Sequence, residues 1–196
     1  MKNSELKETI YSDLFRYSGK VTPGTLLKYL LINAEFRFTY IFRKCQYYKQ
    51  SKWYIIPFFF FLSLKYFYTR TRGCDIHIGT KIGKGLYIGH MWGIAVHAQA
   101  IIGCNVNLSK GNTIGAANRG EKAGVPTIGN RVWVGTNAIL VGKINIGDNS
   151  LIAPGAYVNF DVPNNSIVMG NPGKIINTST GAVDGYINNI VKETNN

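Results

Sequence analysis

The sequence predicts a mainly β protein, a parallel β-helix of hexapeptide repeats with a small α-helical N-terminal region. Three observations carry this. From Asp75 onward aliphatic residues return every six positions, turn-forming residues sit beside them, and residues 1–73 have a different composition. Of the 25 Phe, Tyr and Trp residues, 19 lie in residues 1–73, which also hold 13 Lys and Arg against four acids. The remainder carries nine basic and six acidic residues, so the net charge of +12 sits mostly at the N-terminal end. A chain of 196 residues accommodates one core with an appendage. The expected divisions are residues 1–73, 74–176 and 177–196.

In the first division, Ser4 to Phe15 reads as a short capped helix, and Leu26 to Phe42 has apolar residues at helical intervals. Trp53, Tyr54, Phe58 to Phe61 and Tyr66 to Tyr68 follow, flanked by Lys44, Lys49, Lys52, Lys65, Arg70 and Arg72, and Pro57 argues against one long helix there. Two readings of this stretch stay open. Basic residues beside aromatics suit peripheral contact with an anionic membrane. Equally, helices here would cap the open end of the β-helix or make a trimer contact, with the charges solvated. No recognition motif accompanies the basic residues, so no nucleic-acid partner is expected.

In the second division the six-residue series runs Ile76, Ile82, Ile88, Ile94, then Ile102, Leu108, Ile114, and finally Ile128, Val134, Leu140, Ile146, Ile152, Val158. A two-residue slip follows Ile94, and an insertion separates Ile114 from Ile128. A period of six fits neither a helix nor simple strand alternation. It fits a triangular coil of about eighteen residues, three short strands and three turns, stacked around an aliphatic column. Gly103-Cys104-Asn105, Gly129-Asn130 and Gly147-Asp148-Asn149 supply tight corners. A β-sandwich would space its turns at about 8–12 residues instead. The third division, Asn177 to Asn196, is polar and reads as a short exposed helix or a partly disordered tail.

Cys45, Cys74 and Cys104 are odd in number and lack C-x-x-C spacing, which argues against a disulfide framework or a structural zinc site. Met1 to Lys20 has no apolar signal-peptide core, and the run Trp53 to Leu64 is far short of the ~20 residues that span a bilayer. The expected location is cytoplasmic, with the inner-membrane surface as the peripheral variant.

Several motifs then occur in a fixed order: Asp75-Ile76-His77, Ile88-Gly89-His90, Thr113-Ile114-Gly115, Pro126-Thr127-Ile128-Gly129, Val134-Gly135-Thr136-Asn137-Ala138 and Gly170-Asn171-Pro172-Gly173-Lys174. With these, Gly73 to Ile176 resembles the serine acetyltransferase-like branch of the hexapeptide acyltransferases, which includes capsule and exopolysaccharide O-acetyltransferases. The resemblance implies a left-handed coil, acetyl-CoA as acetyl donor, and a homotrimer with active sites between subunits. It places the catalytic base at His90 and an assisting carboxylate at Asp75, fifteen residues earlier. A neutral imidazole takes the proton of an attacking hydroxyl, and a carboxylate on its far nitrogen fixes the tautomer. His97 is a weaker candidate base, and His77 reads as structural. The resemblance further implies coenzyme A contacts at Gly115, Gly135, Thr136, Ala153 and Pro154, with Lys174 near the nucleotide phosphates. No metal is expected, since the histidines form no ligand cluster.

The sequence departs from that branch in one loop. Serine acetyltransferases carry an Arg-His pair just before a proline there; Gly124 and Val125 stand in those positions. Asn118, Arg119 and Lys122 remain as the polar residues of the loop. The departure favours a saccharide acceptor in surface-polysaccharide biosynthesis over free serine and cysteine biosynthesis. A non-catalytic β-helix scaffold is the reading from another class.

Overall fold

The computed structural model describes residues 2–50 and 52–192. Four helices come first: α1 (Asn3–Ser18), α2 (Pro23–Ile32), α3 (Ala34–Tyr48) and α4 (Ile55–Arg72). The strands then run in coils of three. The first holds β1 (Asp75–Ile76), β2 (Lys81–Ile82) and β3 (Tyr87–Gly89), and the second β4 (Ala95–Val96), β5 (Ile101–Ile102) and β6 (Asn107–Ser109). The third holds β7 (Thr113–Gly115), β8 (Thr127–Ile128) and β9 (Trp133–Val134), and the fourth β10 (Ile139–Val141), β11 (Asn145–Ile146) and β12 (Leu151–Ile152). The last holds β13 (Tyr157–Val158) and β14 (Ser166–Met169), with a single bridge from Val162 to Ile146 as its middle side. A hairpin partner, β15 (Lys174–Thr178), runs antiparallel to β14.

Three parallel sheets result, in the orders β1-β4-β7-β10-β13, β2-β5-β8-β11 and β3-β6-β9-β12-β14, the last extended by β15. They are called the first, second and third sheets below, and each corner is named by the sheets it joins. Ile76, Ile88, Val96, Ile102, Leu108, Ile114 and their successors point into one buried column. The inward residue of β4 is Val96, in register with Ile76 and Ile114, and not Ile94 as the six-residue count predicts. The two extra residues therefore lie before Ile94, in the corner that carries His90. Ile94 is buried all the same, which is why its hydrophobicity misled the count.

Side chains lock the coils together at the second-to-third corner. Asn130 Oδ1 accepts the Cys104 amide at 2.7 Å, Asp148 Oδ1 the Asn130 amide at 2.6 Å, and Asn164 Oδ1 the Asp148 amide at 2.9 Å. The next residue in each turn, Asn105, Arg131, Asn149 or Asn165, has positive φ, a conformation that asparagine tolerates better than most residues. Coil stacking also dictates Gly103, where a Cβ would lie 2.6 Å from the Gly129 carbonyl.

A stack of strands must protect its open end from further pairing. Here α1 and α3 do so. The Asp13 carboxylate accepts the Leu86 amide at 2.8 Å, Tyr17 Oη accepts the Ile88 amide at 2.8 Å, and Arg43 donates to the Ile82 and Gly83 carbonyls at 2.8 and 2.7 Å. Phe38 and Phe42 of α3 plug the end of the aliphatic column. The expected helix Leu26 to Phe42 is two helices, because Asn33 is extended and its side chain caps α3 by accepting the Phe36 amide at 2.7 Å. Pro57 falls in the first turn of α4, where a missing amide is tolerated.

The segment after β15 is neither helical nor detached among the described residues. Val183 and Ile187 bury against Leu151 and Ala153 on the outside of the third sheet, and Tyr186 packs on Trp133 with ring centroids 4.7 Å apart. Asn105 grips the Val191 backbone with two hydrogen bonds of 2.9 Å, and Arg16 Nε donates to Asn188 O at 2.9 Å. A few apolar residues within a polar composition suffice to dock it.

Candidate active site

Turns stack along the third-to-first corner as they do elsewhere. Gly73, Gly93, Gly111, Asn137 and Gly155 all have positive φ, and each from Gly93 onward donates its amide to the turn below, as in Gly111 to Trp92 O at 2.7 Å. With coils about 4.8 Å apart, this corner is a regular edge running the length of the prism.

His90 stands on that edge in the widened turn. It is exposed with φ 58°, its carbonyl accepts the Trp92 amide at 2.8 Å, and its ring makes no hydrogen bond among the described residues. The other two histidines lie on the first-to-second corner and form turns. His77 Nδ1 accepts the Gly79 amide at 2.9 Å and His97 Nδ1 the Gln99 amide at 3.2 Å. Among the described residues, only the ring of His90 has both nitrogens uncommitted.

Asp75 sits on the adjacent coil at the same corner. Its amide donates to Ile94 O at 2.7 Å, and its Cα pairs with Ala95, just past the His90 turn. The carboxylate accepts Lys65 Nζ at 3.2 Å through Oδ1, while Oδ2 accepts no hydrogen bond among the described residues. Asp75 and His90 are not hydrogen bonded to each other. The Asp75 side chain is 63% exposed and that of Lys65 only 9%, so the acid faces solvent while the lysine is buried beneath it. Arg72 lies 4.5 Å over the Trp92 ring and adds a second cation beside the corner. Sequence reasoning placed Lys65 and Arg72 among flanking charges. Their proximity to Asp75 and Trp92 comes from the turn between α4 and β1, which has no signature beyond Gly73.

The residues expected to hold coenzyme A divide into two groups. Gly135 and Thr136, then Ala153 and Pro154, occupy the His90 edge two and three coils along, about 10 and 14 Å away by coil spacing. Lys174 is exposed where the same edge ends at β15. Gly135 and Ala153 are buried, with their amides spent on Ile152 O and Val168 O at 2.8 Å, so they hold the edge in shape. Thr136 is half-buried and Pro154 exposed. Asn112, fully buried, ties this edge by donating to Gly135 O at 2.6 Å. Gly115 lies elsewhere, on the first-to-second corner at the root of the insertion.

That insertion, residues 116–126, also leaves from the first-to-second corner. Ala117 and Gly124 exchange two backbone hydrogen bonds of 2.9 Å, and Lys122 Nζ donates to Asp161 at 2.6 Å. This bond and the Asn145 amide hold the Asp161 carboxyl below its ordinary range. Asn118 and Arg119 are exposed. One protomer thus keeps Asn118, Arg119, Lys122 and Gly115 on a different edge from His90. Among the described residues no three His, Cys, Asp or Glu side chains gather as a metal site would require.

Residues 126–159 match the family described as bacterial transferase hexapeptide (six repeats). A serine acetyltransferase of Synechococcus elongatus is 37% identical over 112 residues, covering 57% of this chain and 46% of its own length. One of Helicobacter pylori is 38% identical over 104 residues, covering 53% and 61%. The chain therefore spans about half the length of the curated relatives it matches. Among solved structures, serine acetyltransferase in complex with coenzyme A from Brucella abortus superposes with a TM-score of 0.75 at 27% identity, covering 90% of this chain and 70% of that one. Neisseria gonorrhoeae serine acetyltransferase in complex with serine gives 0.72 at 26%, covering 89% and 70%.

These relatives overturn the saccharide acceptor and the polysaccharide pathway expected from the loop. The structure supplies the reason the loop misled. A Cβ on Gly124 would lie 2.9 Å from Lys143 Cβ, so glycine there is dictated by the path of the loop across the neighbouring coil. The missing side chain at Gly124 therefore follows from local packing.

Proposed function

We propose that the chain is a hexapeptide-repeat transferase of the serine acetyltransferase branch, and that it transfers acetyl from acetyl-CoA to the hydroxyl of serine. The observation that carries this is His90, the one histidine whose ring has no hydrogen-bond partner among the described residues, exposed on a corner that continues as an unbroken edge toward Lys174. The serine hydroxyl gives its proton to His90 as its oxygen attacks the thioester carbonyl. The tetrahedral intermediate collapses, the carbon–sulfur bond breaks, and the departing coenzyme A thiolate takes the proton from the imidazolium. The products are O-acetylserine and coenzyme A.

In this reading Asp75 serves the step through Oδ2, steadying the imidazolium while Lys65 holds Oδ1. The donor extends along the His90 edge past Thr136 and Pro154, with Lys174 at its phosphates. Arg119 is the cation of the insertion suited to the serine carboxylate, since it makes no ion pair among the described residues whereas Lys122 is held by Asp161. Because the insertion and His90 occupy different edges of one protomer, the complete site needs the loop of a neighbouring copy. A homotrimer with sites between subunits satisfies this.

Mass spectrometry of a reaction with acetyl-CoA and L-serine tests the proposal. O-acetylserine formed in step with coenzyme A supports it; hydrolysis alone, or no thioester cleavage, overturns it. Light scattering tests the shared site, and a monomer that retains full activity would contradict it.

A further inference from the structure

The helical region does two things, and only one of them serves the coil. With α1 and α3 capping the first coil, α4 is left with its outer side uncovered. Ile56, Phe59 and Phe60 lie three and four residues apart, Tyr66 and Phe67 follow seven residues after Phe59 and Phe60 on the same helix face, and all are more than half exposed, Ile56 reaching 81%. Trp53, in the 3-10 turn Lys52–Tyr54 just before α4, and Ile55 at its start are exposed and extend the same apolar end. A groove of about 370 Å³ lined by Phe59, Leu62 and Tyr66 opens along this helix. A contiguous exposed apolar stripe of this kind marks a contact surface.

The charges say what kind of contact. Between Glu35 and Asp75 the chain contains no acid, while it carries eight Lys and Arg residues. Exposed Lys49 and Lys52 precede the stripe, and exposed Arg70 stands at its far end beside the Tyr66 hydroxyl at 2.6 Å. A second copy docking on this face would bring cations against cations. An anionic lipid surface offers the aromatic side chains an apolar boundary and the flanking cations a negative field together. No described helix is long and apolar enough to cross a membrane, so the contact would lie in the plane of the surface.

We propose that the outer face of α4, from Trp53 to Arg70, docks the protein peripherally on anionic phospholipid bilayers. This is independent of the acetyl-transfer reading and survives its failure. Sedimentation with vesicles of phosphatidylglycerol and phosphatidylcholine, against phosphatidylcholine alone, tests it on the full chain. The expected partition coefficient is about tenfold or more higher on the anionic vesicles and falls as salt rises. Phe59→Ser/Phe67→Ser should lose about tenfold on either vesicle. Lys52→Glu/Arg70→Glu should lose the anionic preference alone. Both variants change exposed side chains, and thermal midpoints matching the parent verify that they fold; Ile56→Ser is the substitute if one does not. Equal partitioning onto both vesicles, an unaffected Phe59→Ser/Phe67→Ser variant, or stripe-dependent self-association without vesicle binding would each overturn the proposal.

Discussion

Asp75 and Ala95 are in-register partners on adjacent coils, and this pairing sets the acid beside the turn that presents His90. Lys65 occupies one carboxylate oxygen, and the other has no partner among the described residues. His90→Asn keeps a residue tolerant of positive φ and removes the proposed base, so turnover should fall by about 10²–10⁴ with the thermal midpoint unchanged. Asp75→Asn should reduce kcat by a smaller factor and leave the KM for acetyl-CoA alone. Steady-state kinetics checks both; an active His90→Asn variant would remove the base assigned here.

Arg119 is exposed at the tip of the insertion and carries the charge that Lys122 spends on Asp161. Arg119→Ala should raise the KM for serine about tenfold or more while leaving the donor KM unchanged, the loss expected for a charge-assisted pair. A kcat loss at constant serine KM would place Arg119 elsewhere in the reaction.

The Arg43–Asp13 pair joins α3 to α1 at 2.8 Å, and both side chains are almost wholly buried. Burial pushes the Asp13 carboxyl up while Arg43 and the Leu86 amide pull it down. Arg43→Met keeps volume but strands Asp13 and abandons the Ile82 and Gly83 carbonyls. The expected cost is about 3–5 kcal/mol, lowering the thermal midpoint by roughly 10 °C. A loss below about 1 kcal/mol would mean the coil does not depend on its helical cap.

Thiol chemistry reports on the same cap. Burial pushes the Cys45 thiol up to about 11 and that of Cys74 up to about 12, and both are fully shielded, whereas Cys104 is half-buried. An aromatic disulfide reagent at pH 8 should therefore react quickly with one thiol in the folded protein and with three in denaturant. Three fast thiols would contradict the packing of α3 and α4 on the first coil.

The repeat was legible because one inward aliphatic residue per side is a strict demand of a narrow coil, and Ile128 to Val158 satisfies it without interruption. Ile94 was misassigned because periodicity counts hydrophobic residues, and a widened corner buries one that is off the strand. The motifs single out His90 and Asp75 but not Lys65, whose pairing depends on how α4 turns into β1 at Gly73. The strand-edge role of Asp13, Tyr17 and Arg43 was equally invisible, because each acts across a long stretch of chain. Gly124 misled for the opposite reason: its identity follows a local packing constraint that resembles the loss of a functional pair.

The proposed acetyl transfer to serine by His90 is tested by the rate of thiol release from acetyl-CoA, with and without L-serine, for the parent protein and His90→Asn. Serine-dependent release by the parent that is lost in His90→Asn is the predicted result. Release that ignores serine, or that survives in His90→Asn, would contradict it.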